Sequence, residues 1–486
     1  MAWYWIIGLI YVAVLIYIAF YTGMRVKTTK DYLVADRSLG PFVVACTWGA
    51  TWVSASAFLG SGALAYKFGW PAMVYETAML GGLVFPLVVV GKRLHLFTDK
   101  LDVVSVADYI GTRLDSRFVR SFISLLIIFF YFPVLMAQFK GAGIATATLL
   151  KVPYAWAVLG GGLIIVFYNF MGGFRADAYT DTFQTFVMGI AVLVAVPMII
   201  WAMGGFEAIN SKLAAQDPGL LGFTEPKFFT PGTLLAAFIW SPLVAMASPY
   251  ISVRFQVMKD WRILKKVLLW AALLNVVFLF ITYVGIPARA EFGTTLKDAD
   301  MAVPMMITTK LHPIIGALLI MGILAAMMST TDSLLLVVGT ALAHDILKRG
   351  YWKDIDDRKM LTVARVIMLI VGLSSVLASI FKPPAFLTLL LYFGVGGIAS
   401  SIIGPFILSL YSKKITKIAC QIAIPASFVL YTVISLKQFG IALHVFKAGI
   451  VGMAFSFAIT YVLSLFTKQT ISEETMKKVS EVLDNQ

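Results

Sequence analysis

The sequence predicts an all-α polytopic membrane protein, and two observations support that fold class. Of the 486 residues, 60% are hydrophobic and 13% are charged, and the mean hydropathy is +0.89; soluble proteins carry about twice that share of charge. The chain also contains about thirteen apolar runs, each long enough to cross a bilayer as a helix. These runs are 3–23, 40–66, 71–94, 119–148, 154–173, 179–203, 232–253, 264–287, 313–347, 360–380, 385–411, 415–436 and 445–467.

The distribution of charge predicts how the chain crosses the membrane. The formal net charge is +14, and Lys and Arg concentrate in alternate loops, such as the one from Arg254 to Lys266. Cytoplasmic loops of membrane proteins are rich in these residues. We therefore expect a multi-pass protein of the cell (plasma) membrane with its N-terminus outside and its C-terminus in the cytoplasm. The positive charge then belongs at the surface of the lipid bilayer, and nucleic acid is not expected as a partner.

The sequence favours neither an enzyme nor a channel. Its two cysteines lie in apolar runs, its four histidines lie near predicted helix ends, and no H-E-x-x-H or G-x-S-x-G motif occurs. No loop resembles a selectivity filter. The loops are too short to form a soluble domain, and no obligatory protein partner is evident. Residues 103–114 predict an interfacial helix, and the tail predicts a short charged helix or disorder.

Two of the runs predict helices that are broken in mid-membrane. The second run is rich in small and polar residues from Thr47 to Gly62, and the seventh contains Pro242 and Ser248-Pro249. Close helix packing and a simple proline kink are the alternatives. Two interrupted helices five apart predict an inverted repeat with a binding site near the midplane. The predicted segments are an extra N-terminal helix and cytoplasmic loop (1–39), a first repeat of helices 2–6 (40–205), a second repeat of helices 7–11 (206–411), two C-terminal helices (412–467) and a cytoplasmic tail (468–486).

The ninth run carries a stripe of polar positions. Ala326, Ser329, Thr330 and Ser333 share one helical face, and Asp332 flanks it. The hydroxyls could simply bond to carbonyls of their own helix. A carboxylate inside a spanning helix is costly unless a cation, a proton or water compensates it, so Asp332 indicates a functional site.

Five stretches in chain order carry a more specific pattern. From the N-terminus they are A-T-W-V-S-A-S-A-F-L-G, G-G-F-R-A-D-A-Y-T-D-T-F-Q (residues 172–184), S-P-Y-I-S-V-R-F, A-A-M-M-S-T-T-D-S-L-L-L and K-P-P-A-F-L. Together these motifs resemble the sodium:solute symporter family, and among its branches those that carry pantothenate and proline. The resemblance implies the leucine-transporter architecture with a 5+5 inverted-repeat core, and secondary active import of a small organic solute together with Na⁺.

The resemblance also implies two cation sites. The first would hold sodium between the break in helix 2 and helix 9, with ligands from Ala50, Val53, Ala326, Ser329 and Thr330. A second cation or proton site would comprise Asp181, Asp332 and Ser333. Asp332 replaces a residue that is usually Ser in the family. It therefore adds charge to a second cation site, takes up a proton, or pairs with a nearby Arg or Lys.

The expected solute site lies beside the broken helices. The positions expected to line it are Trp52, Ser54, Ala57, Trp240 and Tyr250. Two further charges in the membrane, Glu76 on helix 3 and Lys140 on helix 4, either form an interior salt bridge or bind the solute. By the resemblance, Lys140 would hold a solute carboxylate as a point charge.

These expectations give a sodium-coupled symporter for a carboxylate or amino-acid-like solute, with pantothenate as one candidate. A proton-coupled symporter of the same fold, titrating at Asp332 or Asp181, is the alternative for the ion. Proline is the alternative for the solute. It is disfavoured because the Trp and Tyr that the proline branch carries on helix 7 correspond here to Ser241 and Ala245.

Overall fold

The computed structural model describes residues 2–54, 56–352, 354–381, 387–438 and 445–484. Within these ranges the chain is a helical bundle, because backbone polar groups in lipid must be paired inside their own segment. All but the last residue of the K-P-P-A-F-L motif lies outside them. The helices are α1 Ala2–Gly23, α2 Thr29–Val34, α3 Pro41–Trp52, α4 Ser61–Phe68, α5 Pro71–Pro86, α6 Lys92–Leu101, α7 Val106–Arg113, α8 Arg117–Leu150, α9 Tyr154–Ala202, α10 Gly205–Gln216, α11 Pro231–Met246, α12 Pro249–Gln256, α13 Leu264–Leu279, α14 Gly285–Phe292, α15 Ala302–Lys310, α16 Pro313–Thr340, α17 Asp357–Ile380, α18 Leu387–Tyr411, α19 Lys417–Gln438, α20 Val445–Phe466 and α21 Glu473–Asp484.

The helices that can span a membrane are broadly those predicted from the apolar runs. Ten helices of the described ranges are long and apolar enough to cross a membrane, and two bent helix pairs raise the number to twelve. Helix α9 has 49 residues, about twice the length that a bilayer needs. The exact count of thirteen spans and the boundaries of the two repeats stay predictions.

Both helices predicted to be broken are broken. α3 ends at Trp52, Val53 leaves helical geometry with φ −87° and ψ 87°, and the chain resumes at an angle of 51° to α3. α11 and α12 meet at 47°, where Pro249 lacks the N–H that would continue the helical ladder.

Helix α9 changes direction inside the G-G-F-R motif. Gly173 has φ 56° and ψ −152°, a conformation that only glycine adopts readily. A Cβ at this position would also overlap the carbonyl oxygen and ring of Tyr32. The turn separates the two apolar runs predicted at 154–173 and 179–203.

Helix α16 lies at the centre of the bundle. It packs against α1, α3, α8, α9 and α17. Of its most apolar 18-residue segment 78% is buried, whereas the corresponding fraction for α1 is 22%. The polar stripe of the ninth run therefore faces protein on every side.

One face of the bundle is held together by ion pairs around α7, the interfacial helix predicted at 103–114. Buried Asp108 pairs with Arg120 at 3.1 Å and with Arg349 at 3.2 Å, and Ser105 donates to Asp345 at 2.7 Å. These contacts fasten α7 to α8 and to the π-helical extension of α16 at Ala341–Tyr351.

The C-terminal tail forms a helix, α21, one of its two predicted states. Val479 and Val482 of this helix are buried, and it packs against α6 and α7. Lys413 pairs with Asp484 at 2.7 Å and holds the end of the helix.

Candidate functional site

The hydroxyls of α16 meet the C-terminal end of α3. Ser329 Oγ donates to the carbonyl oxygen of Ala50 at 3.0 Å, and Thr330 Oγ1 donates to that of Thr51 at 3.1 Å. Both hydroxyls also lie within 3.2 Å of the carbonyl oxygen of Ala326. The hydroxyls thus bridge two helices as well as bonding within their own.

These atoms form a cluster of neutral oxygens. Ala50, Ala326, Ser329 and Thr330 are fully buried, and Val53 is 5% exposed. Val53 lies at the helix break beside the cluster, and the contact to Thr330 comes from Thr51, which sequence reasoning did not include. Several neutral oxygens around one point suit a hard monovalent cation that must be released again, since carboxylates would hold it more tightly.

Three carboxylates form a second cluster next to the first. Asp177, Asp181 and Asp332 each place a carboxylate oxygen within 4.8 Å of the others, and all three are buried. Asp332 accepts hydrogen bonds from Tyr168 at 2.7 and 2.5 Å and from Asn169 at 2.6 Å. These two donors on α9 stabilise a carboxylate that the sequence left without a partner.

Arg254 provides a positive charge for this cluster. Its Nη2 lies 3.4 Å from Asp177 Oδ2 and 3.6 Å from Asp181 Oδ2, and all three side chains are fully buried. The sequence placed Arg254 among the charges of a membrane-surface loop; that assignment is wrong, because the residue lies in α12 inside the bundle.

The two clusters share hydroxyl groups. Ser333 Oγ lies 3.0 Å from Thr51 Oγ1, 2.9 Å from the carbonyl oxygen of Ser329 and 3.4 Å from Asp177 Oδ1. Thr47 Oγ1 bonds to Asp181 Oδ2. The two clusters are therefore in direct contact.

A cavity of about 70 Å³ opens beside the broken helices. Its lining contains all but one of the residues that sequence reasoning expected around a solute. Those residues are Trp52, Ser54, Ala57, Glu76, Trp240 and Tyr250; other lining residues include Val53, Ser61, Asn275, Thr282 and Tyr392.

Lys140 is the exception. It is not among the described residues that line the cavity, and its Nζ lies 3.5 Å from Asp300 Oδ2 instead. The interior salt bridge between Lys140 and Glu76, one of the two alternatives drawn from the sequence, is not formed; Lys140 pairs with Asp300. Glu76 lies beside the Ser61 hydroxyl, and its Oε1 has no hydrogen-bond partner among the described residues.

Sequence reasoning missed several residues of the site. The clearest available signal was Asp177, which precedes Asp181 by one helical turn and therefore shares its face of α9. Tyr168 and Asn169 gave no such signal, because each meets the cluster only through the packing of distant helices. Arg254 lies in the S-P-Y-I-S-V-R-F motif, but the motif does not show that its side chain meets the two carboxylates of α9.

Two sequence relatives are similar over nearly the whole chain. The chain is 26% identical over 439 residues to the sodium/pantothenate symporter of Haemophilus influenzae, covering 87% of this chain and 90% of that protein. It is 26% identical over 493 residues to a sodium/proline symporter of Staphylococcus aureus, covering 98% and 95%.

A solved structure gives the same fold. The substrate-bound, outward-open structure of a Na⁺-coupled sialic acid symporter superposes with a TM-score of 0.82 at 20% identity, covering 96% of this chain and 98% of that one. The predicted all-α, leucine-transporter-like fold class is thereby confirmed. Residues 32–424 match the family model of the sodium:solute symporter family. The chain belongs to the sodium:solute symporter family and is a multi-pass membrane transporter, not an enzyme.

Proposed function

We propose that this protein imports a small amino-acid-like solute across the plasma membrane together with Na⁺, by alternating access. The observation that carries the proposal is the meeting of Ser329 and Thr330 with the carbonyl oxygens of Ala50 and Thr51. This cluster lies at the broken helix whose next residues, Val53 and Ser54, line the cavity. The N-terminus is proposed to lie outside and the C-terminus in the cytoplasm.

The geometry supports a simple form of coupling. A sodium ion held by Ala50, Val53, Ala326, Ser329 and Thr330 would fix α3 against α16. That contact would position Trp52 and Ser54 at the wall of the cavity. Because the ion and the solute would then share one helix break, binding of each raises the affinity for the other.

A second cation site is proposed at Asp181, Asp332 and Ser333. Three buried carboxylates face one guanidinium in this cluster. The excess of formal negative charge in a dry interior favours binding of a further positive charge. That charge is a second Na⁺. The alternative is a proton, which the additional carboxylate of Asp332 favours.

The class of solute follows from the cavity lining. Glu76 is the one charged side chain among the described lining residues, while Trp52, Trp240, Tyr250 and Tyr392 provide aromatic surface. A carboxylate in the wall favours a solute with a cationic group. With Lys140 beside Asp300, an amino-acid zwitterion fits this lining better than an anion such as pantothenate.

The proposal is tested in two steps. A thermal-shift screen of amino acids, betaines, pantothenate and other small carboxylates, with and without Na⁺, identifies solutes whose stabilisation of the purified protein needs sodium. Uptake of each hit into proteoliposomes is then measured with a sodium gradient or a pH gradient imposed separately. We expect uptake to follow the sodium gradient. Uptake that follows only the pH gradient would assign the coupling to protons and overturn the sodium proposal.

A further inference from the structure

Arg254 Nη2 lies inside a shell of oxygen atoms. The residue is fully buried, and five oxygens surround this one nitrogen within 3.6 Å. They come from α3, α9 and α16. The five atoms are Thr47 Oγ1 at 3.1 Å, Thr51 Oγ1 at 2.5 Å, Ser333 Oγ at hydrogen-bond distance, Asp177 Oδ2 at 3.4 Å and Asp181 Oδ2 at 3.6 Å.

This shell holds more acceptors than the nitrogen can use. Of the five N–H bonds of a guanidinium, Nη2 carries two, so it can donate well to two oxygens at a time. Five hydroxyl and carboxylate oxygens around one point resemble instead the shell of a hard cation. The nitrogen of Arg254 therefore lies where a mobile cation would find its ligands.

The cluster keeps an attraction for such a cation even with Arg254 present. Asp177, Asp181 and Asp332 give three formal negative charges against one positive charge. Asp181 Oδ1 is buried and has no hydrogen-bond partner among the described residues. This oxygen is free to bind an ion that replaces Nη2.

We propose that Arg254 is a tethered competitor for the second cation. Nη2 and the mobile cation use the same carboxylate group of Asp181 and the same hydroxyl of Ser333, so each displaces the other. When Nη2 moves out, Arg254 keeps Asp177 as its counter-ion; when the cation leaves, Nη2 returns and the carboxylates are not left unpaired. The inference rests on the second cation site of the proposed function. Competition by Arg254 would make binding of the cation weak and reversible, as a transport site needs.

The test is equilibrium binding of ²²Na⁺ to the purified protein without solute. In Arg254→Gln, which removes the charge, we expect the apparent affinity of the second Na⁺ to rise by about tenfold or more. Arg254→Lys keeps the charge and serves as the matched control, with an affinity close to wild type. If Arg254→Gln binds the same amount of Na⁺ with the same affinity as wild type, the competitor role is overturned.

Two further variants keep the outcome interpretable. Asp177→Asn/Arg254→Gln removes one charge of each sign and is used if Arg254→Gln alone does not fold. This double variant should also bind the second Na⁺ more tightly than wild type, and wild-type affinity would contradict the proposal.

Ser329→Ala/Thr330→Ala in the Arg254→Gln background should remove the first Na⁺ and leave the second. If it removes neither while Arg254→Gln still tightens binding, the first sodium site fails and the competitor role stands.

Discussion

At the scale of single residues, the buried carboxylates are tolerated because each has specific partners. Asp332 is held by the Tyr168 hydroxyl and the Asn169 amide, and Asp181 by Thr47 and Arg254. An ionised group without such donors would be far more costly in a low-dielectric interior. The partners of Asp332 are therefore as important to the site as the carboxylate itself.

Removal of the Tyr168 hydroxyl tests this statement. Tyr168→Phe leaves Asp332 with one donor fewer, so we expect a loss of about 1–3 kcal/mol of stability. Thermal unfolding in detergent measures it. Tyr283→Phe is the control, because the Tyr283 hydroxyl is buried without a hydrogen-bond partner among the described residues. An equal effect of the two variants would show that the bonds to Asp332 contribute nothing.

Glu76 is the residue on which the class of solute depends. Glu76→Gln keeps the shape of the cavity wall and removes its charge, so the solute concentration for half-maximal uptake of a zwitterion should rise about tenfold or more. Thr77→Val on the same helix is the control, since the Thr77 hydroxyl bonds to the carbonyl of Val74. Unchanged uptake in Glu76→Gln would exclude contact between this carboxylate and the solute.

At the scale of helices, close backbone contact holds the C-terminal helices on the bundle. Gly404 N donates to Ser456 Oγ at 3.2 Å, and a Cβ on Gly404 would overlap the backbone carbonyl of Ser456. Backbone cannot move aside as a flexible side chain does. The close approach of α18 and α20 thus requires small residues at the contact.

Gly404→Ala should therefore destabilise the protein by about 1–3 kcal/mol, the usual effect of overpacking. Gly160→Ala in α9 is the matched control, because an added Cβ there meets nothing within 4 Å; it should be neutral or stabilising. Thermal unfolding of both variants gives the comparison. Similar melting temperatures for the two would contradict the close contact.

The elements that could be predicted from sequence are those with local signals. Apolar length predicts the spans, Pro249 and the run of small residues near Val53 predict the two breaks, and the i, i+3, i+4 spacing predicts the polar face of α16. The partners of Lys140 and Asp332 could not be predicted. Asp300 reaches Lys140 from a loop 160 positions away, and Tyr168 reaches Asp332 across two packed helices; neither pairing has a sequence period.

At the scale of the whole molecule, the ion pair of Lys140 and Asp300 links α8 to the segment before α15. Burial raises the pKa of Asp300 to about 6, against the opposing effect of Lys140. Asp300 lies between two spans, outside the membrane-spanning segments. The folded protein binds this proton more tightly than the unfolded chain, in which the carboxyl has its ordinary pKa of 3.8. The contribution of Asp300 to stability is therefore full at low pH and is lost as the pH rises through about 6.

Asp300→Asn should remove that pH dependence. Between about pH 4 and pH 6 the wild-type protein should lose roughly 3 kcal/mol of stability from this group, by the size of the pKa shift. Melting temperatures of both proteins across this range in detergent provide the measurement. Parallel curves for wild type and Asp300→Asn would show that Asp300 titrates normally.

The central claim is that Na⁺ binds between the α16 hydroxyls and the end of α3. Its most direct test is the sodium dependence of solute uptake by proteoliposomes containing wild type, Ser329→Ala/Thr330→Ala or the control Thr331→Ala. Thr331 bonds to its own helix at Met327, so its removal should leave the sodium requirement unchanged. The double variant should need about tenfold more sodium or higher for half-maximal uptake, with normal expression. The same sodium requirement in all three proteins would contradict the claim.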